Sequence, residues 1–385
     1  MTETAARPQL AYLSAVLDEL KAKGTHFKLR VLDDQQAAVC HYDGREVINL
    51  ASNNYLGLAN HPLLIEASLK ATKELGVGSG AVRTIAGTMR IHMELEEKIA
   101  RFKNVEACVV FQSGFAANAG AVSAILGKED FIVSDELNHA SIIDGARLSR
   151  AKIKVFRHKD VAHCEELLNE VAGEPGHKLV ITDGVFSMDG DIGPVNKLAA
   201  LAEKYGAIMM VDDAHASGVL GRNGRGSIDH FGMHGRVDVQ VGTLSKAIGS
   251  LGGYVCGSKD LIDFLYHRAR PFLFSTSHPP AVAASCIAAF DILDRTGAYR
   301  PAVEEHEVFP RRTQARRIQH RRREYSGDRD AHYTRDCGRG SRGNGLLASA
   351  VRRGRDGNRD CVSHRAGREG AHPADRNQRT HEGAT

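Results

Sequence analysis

The chain has 385 residues, 51 Lys and Arg against 47 Asp and Glu, a formal net charge of +4 and 42% hydrophobic residues. That balance fits a globular protein with a sizeable core and excludes a fibrous or wholly disordered chain. No apolar run approaches the ~20 residues that a membrane helix needs, and the opening MTETAARPQL lacks a signal-peptide core. Seven scattered cysteines, with no C-x-x-C pair, speak against a zinc ribbon or a disulfide scaffold and for a reduced, cytoplasmic setting.

The predicted elements begin with a helix over 9–23, QLAYLSAVLDELKAK, closed by Gly24. Short strands are expected at 28–32, 37–41 and 46–50. From residue 62, helices near 62–75, 92–103, 114–126, 139–149, 161–171 and 194–205 alternate with the apolar runs ACVVF, FIVS, IKVF, KLVIT and AIMMVD. Two further strands, VDVQV and GGYVC, lead to helices near 259–269 and 279–296. This alternation predicts an α/β fold with a mostly parallel sheet flanked by helices. Ligands in such folds bind at the carboxyl ends of the strands.

The pattern stops after about residue 306. Residues 311–385 carry 19 Arg, no Lys and nine acidic groups, a balance of +10, while residues 1–310 balance at −6. One reading is a basic nucleic-acid-binding tail. The stretch, however, has no Lys, scattered Cys and His and no low-complexity bias. These traits fit a GC-rich gene read out of frame better than an evolved tail. With so few large apolar groups the segment is expected to be disordered.

Several polar residues fall at predicted strand ends. AIMMVDDAHASG places Asp212, Asp213 and His215 there, and ITDGVFSMDGD places Asp183 and Ser187. IVSDELNHASIIDG sets His139 before a helix, and VVFQSGFAANAG sets Gly114 and Phe115 at a helix start. Lys246 stands among small residues in VDVQVGTLSKAIGSLGGYV. Each has a structural alternative: Ser113 or Asn138 as a helix cap, Asp212 as an acceptor for loop amides, Lys246 as a solvated surface group. Together they suit one chemistry. A lysine amine forms a Schiff base with an aldehyde cofactor. Pyridoxal phosphate (PLP) also needs a carboxylate at its ring nitrogen, N–H groups for its phosphate and a ring stacked on its face. Asp212, Gly114 with Phe115 and Thr243, and His139 can supply these.

The segments NLASNNYLGLANHP, SDELNHASIIDGARL, TDGVFSMDGDIGP, VDDAHASGVLGRNGRGS, GTLSKAIGSLGGYV and RPFLFSTSHPP, in this order over about residues 10–300, resemble the α-oxoamine synthases. These are PLP enzymes of fold type I, the aspartate aminotransferase-like fold. The resemblance implies PLP held by Gly114, Phe115, His139, Ser187, Asp212, His215, Thr243, Lys246 and Thr276. Lys246, Asp212 and His139 would be the catalytic set: Lys246 carries the cofactor, Asp212 pairs with the ring nitrogen and His139 stacks on the ring. His215 would bond the phenolic oxygen, Thr276 would reach the phosphate of a second subunit in a homodimer with shared sites, and Asn53 would touch the amino-acid carboxylate. No metal, nucleic-acid or membrane partner is implied.

Within the family, GSGAVRTIAGTMRIHMELEEKIARF is most similar to the glycine C-acetyltransferase branch, which joins glycine to acetyl-CoA in threonine degradation. The alternative branch is 8-amino-7-oxononanoate synthase of biotin synthesis, which more often has a Ser-Gly-Tyr-type segment where Ile85–Thr88 stands. The implied organisation is an arm and helix over 1–60, a PLP-binding domain over 61–295, and the start of a small domain over 296–306. The Arg-rich tail then covers 307–385. Nothing in that tail matches the Arg-Ile-Arg-like stretch with which the family's small domain anchors the substrate carboxylate, so no tail arginine is assigned that role.

Overall fold

The structure, a computed structural model, describes residues 8–295; the expectations for 296–306 and for the tail 307–385 lie outside the described residues. In chain order the elements are α1 (Tyr12–Ala22), β1 (Val39–Tyr42), β2 (Arg45–Ile48), α2 (Pro62–Leu75), α3 (Arg90–Lys103), β3 (Ala107–Phe111) and α4 (Gly114–Ile125). There follow β4 (Phe131–Asp135), α5 (Ala140–Ser149), β5 (Lys152–Phe156), α6 (Val161–Glu170), β6 (Lys178–Asp183), α7 (Val195–Tyr205) and β7 (Ile208–Asp212). The described part closes with α8 (Ser227–His230), β8 (Val239–Thr243), β9 (Gly253–Gly257), α9 (Lys259–Arg268), α10 (Arg270–Leu273) and α11 (Pro280–Arg295). Helix α1 belongs to a unit separate from the one that begins at Leu32, and no residue of α1 is buried.

Seven strands form one sheet in the order β3-β9-β8-β7-β6-β4-β5. The pairs β4–β5, β4–β6, β6–β7 and β7–β8 are parallel, and β9 runs antiparallel to both β3 and β8. The exception has a local cause. A parallel return needs a crossover of about a dozen residues or more, and the link from Thr243 to Gly253 is shorter than that.

Alternation along the strands feeds cores on both sheet faces. Ile132, Ile181, Met210 and Val241 pack with Ala117 and Val122 of α4 and Ile142 of α5. Their neighbours Val133, Val180, Met209 and Val211 pack with Leu168 of α6 and Leu198 of α7. Cys108, Val110 and Tyr254 extend that second face towards Leu95 and Ile99 of α3 and Phe290 of α11.

Three expectations change. Residues 28–32 form no strand; only Leu32 makes a bridge, to Tyr42. The two strands after it are a hairpin whose tip is Asp43-Gly44, both at positive φ (52° and 74°), the turn chemistry that tightly paired strands favour. The VDVQV strand starts at Val239 rather than 237; just before it Asp238 ties to Met209 twice, its carboxylate accepting the Met209 N–H at 2.7 Å and its own N–H donating to the Met209 carbonyl at 3.0 Å.

Between α2 and α3 a wide helical turn, Arg83–Gly87, carries a buried ion pair. The Glu96 carboxylate accepts Arg83 Nη1 at 2.7 Å and Nη2 at 2.9 Å, and also the Val110 N–H of β3 at 2.9 Å. The two side chains are 6% and 3% exposed. Removing one partner of such a pair strands the other charge, at a cost of ~3–5 kcal/mol. Glu96→Ala is therefore expected to lower unfolding free energy by about that amount in urea titrations, while an exposed control, Glu97→Ala, stays close to the parent.

Candidate active site

The sheet delivers its polar residues to one edge. Because β3, β8, β7, β6 and β4 run the same way, their carboxyl ends lie side by side. Asp183 and Asp212 are register neighbours on β6 and β7, and Thr243 closes β8, three residues before Lys246.

Lys246 is not a surface lysine. It is half-buried, its Nζ lies 2.7 Å from His215 Nε2, and desolvation holds its amine below the usual lysine range, against the pull of Asp212 and Asp183. His215 is held from both sides, with Tyr55 Oη 2.6 Å from Nδ1. The Tyr55 hydroxyl donates to Asn53 Oδ1 at 3.1 Å, so it accepts from His215 Nδ1–H, and His215 Nε2 accepts from Lys246. His215 is thus a neutral imidazole, and burial together with Lys246 and His139 pushes its pKa down to about 3. The small residues around Lys246 serve the protein's own packing. Gly249 has φ +74°, and a Cβ there would stand 2.6 Å from the Ala59 backbone nitrogen.

Asp212 is buried at 4% exposure; Oδ1 accepts the Ala214 N–H at 2.8 Å and Oδ2 accepts Asn118 Nδ2 at 2.6 Å. Beside it Asp183 is pushed well above the carboxylate range by burial and by the Asp212 charge, and its Oδ1 has no described hydrogen-bond partner. Directly behind lies Asp213, which takes the fully buried Lys103 ammonium at 2.9 Å and the Ser227 N–H at 3.2 Å. His139 caps α5, with Nδ1 2.7 Å from Ser141 Oγ. Asn138 is no cap: its amide donates to Ile181 O and its Oδ1 accepts the Asp183 N–H, both at 2.9 Å, so it ties the end of β4 to β6.

At the start of α4, Ser113 takes the Ala116 N–H on its hydroxyl and the Ala117 N–H on its carbonyl. The Gly114 and Phe115 N–H groups have no hydrogen-bond partner among the described residues. A Cβ on Gly114 would stand 3.3 Å from the Thr243 Cβ, so the helix start packs closely against the end of β8. Free N–H donors, a buried carboxylate and a desolvated amine on one edge match the phosphate, ring nitrogen and aldehyde of PLP.

Not every expected residue joins this group. Ser187 is half-buried in the loop after β6 with no described hydrogen bond to the others. Thr276 is exposed; its carbonyl accepts Gln112 Nε2 at 2.7 Å and its backbone bridges to Val82. Tyr55, Asn118, Ser141 and Lys103 escaped the sequence reading. Asn118 and Ser141 read as ordinary residues of small-residue helices, and nothing local marks Lys103 as buried.

A mostly parallel sheet whose edge gathers a half-buried lysine, paired aspartates and histidines defines a PLP-dependent enzyme of fold type I. The chain belongs to the aminotransferase class I and II family, whose description matches residues 45–321, and to its α-oxoamine synthase type. It is 57% identical over 289 residues to the 8-amino-7-oxononanoate synthase of Thermoanaerobacter pseudethanolicus, covering 75% of this chain and 73% of that one. The enzyme of the same name from Symbiobacterium thermophilum is 57% identical over 284 residues, with 74% and 72% covered. A solved structure of SPT (serine palmitoyltransferase) with its PLP internal aldimine superposes with a TM-score of 0.72 at 32% identity, covering 77% of this chain and 75% of that chain.

These relatives overturn the glycine C-acetyltransferase expectation and, with it, glycine, acetyl-CoA and threonine degradation as this chain's business. The segment that suggested that branch is mainly scaffold. Arg83, Thr88, His92 and Glu96 are spent on internal hydrogen bonds, and Ile85, at 83% exposure, is the outlier.

His215 sets an acid limit on stability. Above pH ~6.5 it is neutral both folded and unfolded. Below that, the unfolded chain binds a proton that the folded site refuses down to about pH 3, so stability falls as pH falls, by at most ~1.4 kcal/mol per pH unit. His215→Gln is expected to flatten the loss of unfolding free energy between pH 6.5 and pH 4 in PLP-free protein, as read by urea titration at each pH. An unchanged slope would assign the acid sensitivity to other groups.

Proposed function

We propose that this chain is an 8-amino-7-oxononanoate synthase-type acyltransferase, acting in the cytoplasm on L-alanine and a pimeloyl thioester with release of carbon dioxide and the free thiol. The observation that carries the reading is 57% identity to synthases of that name, joined to a desolvated Lys246 at the carboxyl edge of the sheet. PLP supplies an aldehyde that captures amines and a ring that accepts an electron pair from the amino-acid Cα.

The residues would divide the remaining work. Lys246 Nζ would hold the cofactor and, once displaced by the substrate amine, move protons at the reacting carbon, a task for which a lowered amine pKa is suited. Asp212 would keep the ring nitrogen protonated, and the buried Asn118 and the Ala214 N–H hold its two oxygens in place. The Gly114 and Phe115 N–H groups with Thr243 would hold the phosphate, His139 would cover the ring face, and His215 would meet the phenolic oxygen. Ser187 would lie beside the ring and Asn53 would meet the substrate carboxylate. Thr276 would serve a second subunit. Its surface setting beside Phe274, which is 71% exposed, supports a homodimer.

We further propose that residues from about 307 onward are read out of frame. Reading the gene in its other two frames tests this: an amphipathic segment with an Arg-Ile-Arg-like stretch is expected in one, and its absence from both overturns it.

The activity test compares substrate pairs. L-Alanine with pimeloyl thioester is expected to release thiol, and glycine with acetyl-CoA is not; release with the second pair alone would reverse the assignment. Lys246→Ala is expected to keep the parent circular dichroism while losing all borohydride-fixed cofactor. Cofactor still trapped covalently in that variant would move the attachment to another lysine.

A further inference from the structure

The hydrogen bonds around Asp212 continue away from the strand edge to His139. Asn118 on α4 and Ser141 on α5 are 2% and 0% exposed, and they meet because α5 packs closely on α4 at Gly145. A Cβ at Gly145 would stand 3.0 Å from the Asn118 carbonyl oxygen and 3.2 Å from the Ala119 Cα. The chain then runs from Asp212 Oδ2 to Asn118 Nδ2 at 2.6 Å, from Asn118 Nδ2 to Ser141 Oγ at 2.9 Å, and from Ser141 Oγ to His139 Nδ1 at 2.7 Å.

Counting hydrogens gives this chain a direction. A carboxylate has none to offer, so the Asn118 amide turns its nitrogen to Asp212 and spends one hydrogen there. Its second hydrogen goes to Ser141 Oγ. The Ser141 hydroxyl, already an acceptor, has its own hydrogen left for His139 Nδ1. The Ser141 backbone N–H also points at Nδ1, at 3.3 Å. The Asn118 Oδ1 is left buried with no described partner, so the amide's orientation follows its two acceptors and not its own carbonyl. A ring nitrogen that receives two donors carries no hydrogen. Burial and the Lys246 ammonium hold His139 below the usual imidazole value, against Asp212, which leaves the ring neutral.

We propose that Asn118 and Ser141 are positioning residues that fix His139 as the neutral tautomer protonated at Nε2, through a relay anchored on the Asp212 carboxylate. The relay concerns the site of the proposed function and rests on that reading only for what His139 does beside a bound cofactor. A neutral imidazole can lie over a protonated pyridine without the repulsion of two like charges. Its Nε2–H also remains as one donor for the reactants, while the Nδ1 edge is committed to the protein. The ring-nitrogen carboxylate and the stacking ring would then be a single hydrogen-bonded unit.

The test is nuclear magnetic resonance of the full-length protein labelled with 15N-histidine, near pH 7 and without PLP. His139 is identified by the signals missing from His139→Gln. The expected pattern is an unprotonated Nδ1 and a protonated Nε2. Ser141→Ala is expected to shift His139 towards an average of both tautomers, and Ser141→Thr, which keeps the hydroxyl, to restore the single form. With PLP bound, the midpoint of the cofactor's absorbance-against-pH titration is expected to move in Ser141→Ala and not in Ser141→Thr. A parent His139 protonated at Nδ1, or cationic, overturns the proposal. So does a Ser141→Ala ring pattern identical to the parent. Beyond the His139→Gln assignment the parent reading needs no variant and no turnover, so a poorly folding Ser141→Ala or an inactive enzyme leaves it decisive.

Discussion

Strands covered on both faces can place their charges only at their ends. Every residue of β4 and β8 is buried, and an unpaired charge within such strands would cost several kcal/mol. Asp135, Asp183 and Asp212 accordingly close β4, β6 and β7. Since these strands are parallel, their acidic ends meet on one edge. The reactive edge is therefore a consequence of burial before it is a feature of any reaction.

Such an edge must then balance its own charge, and it does so unevenly. Asp213 is matched: Lys103 donates to it, and also to Ser217 Oγ at 3.3 Å and the Arg225 carbonyl at 2.6 Å. That pairing ties α3 to both ends of the loop that carries His215. In front of it stand Asp183, Asp212, His139, His215 and Lys246, and Asp183 Oδ1 has no described hydrogen-bond partner. Asp183 is raised, and both histidines and Lys246 are lowered, with burial the largest cause in each case. Unequal satisfaction of neighbouring groups is what separates a structural network from one poised for proton transfer.

The misassigned branch has an equally physical origin. The stretch from Gly78 to Phe102 looks distinctive because it combines Arg, Thr, His and Glu at close spacing. In the fold Arg83 and Glu96 neutralise one another inside the protein, and His92 Nε2 lies 2.8 Å from the His278 carbonyl oxygen. These identities answer to packing between α3, β3 and the Arg83 turn. They carry little information on the amino acid or thioester that the enzyme takes.

Local order was legible in the residues themselves. The helices after residue 62 and the strands between them follow from periodicity and caps. Lys246, Asp212, His139 and the Gly114 start of α4 follow from standing at strand ends, where a buried sheet has to put its chemistry. Contacts across the sheet were not legible. Tyr55 reaches His215 across 160 positions, Lys103 reaches Asp213 across 110 and Asn118 reaches Asp212 across 94. Periodicity reports how a segment partitions between core and solvent, and it is silent on which helix settles against which strand end. Those pairings, and with them the protonation of the histidines, were decided only when the helices packed.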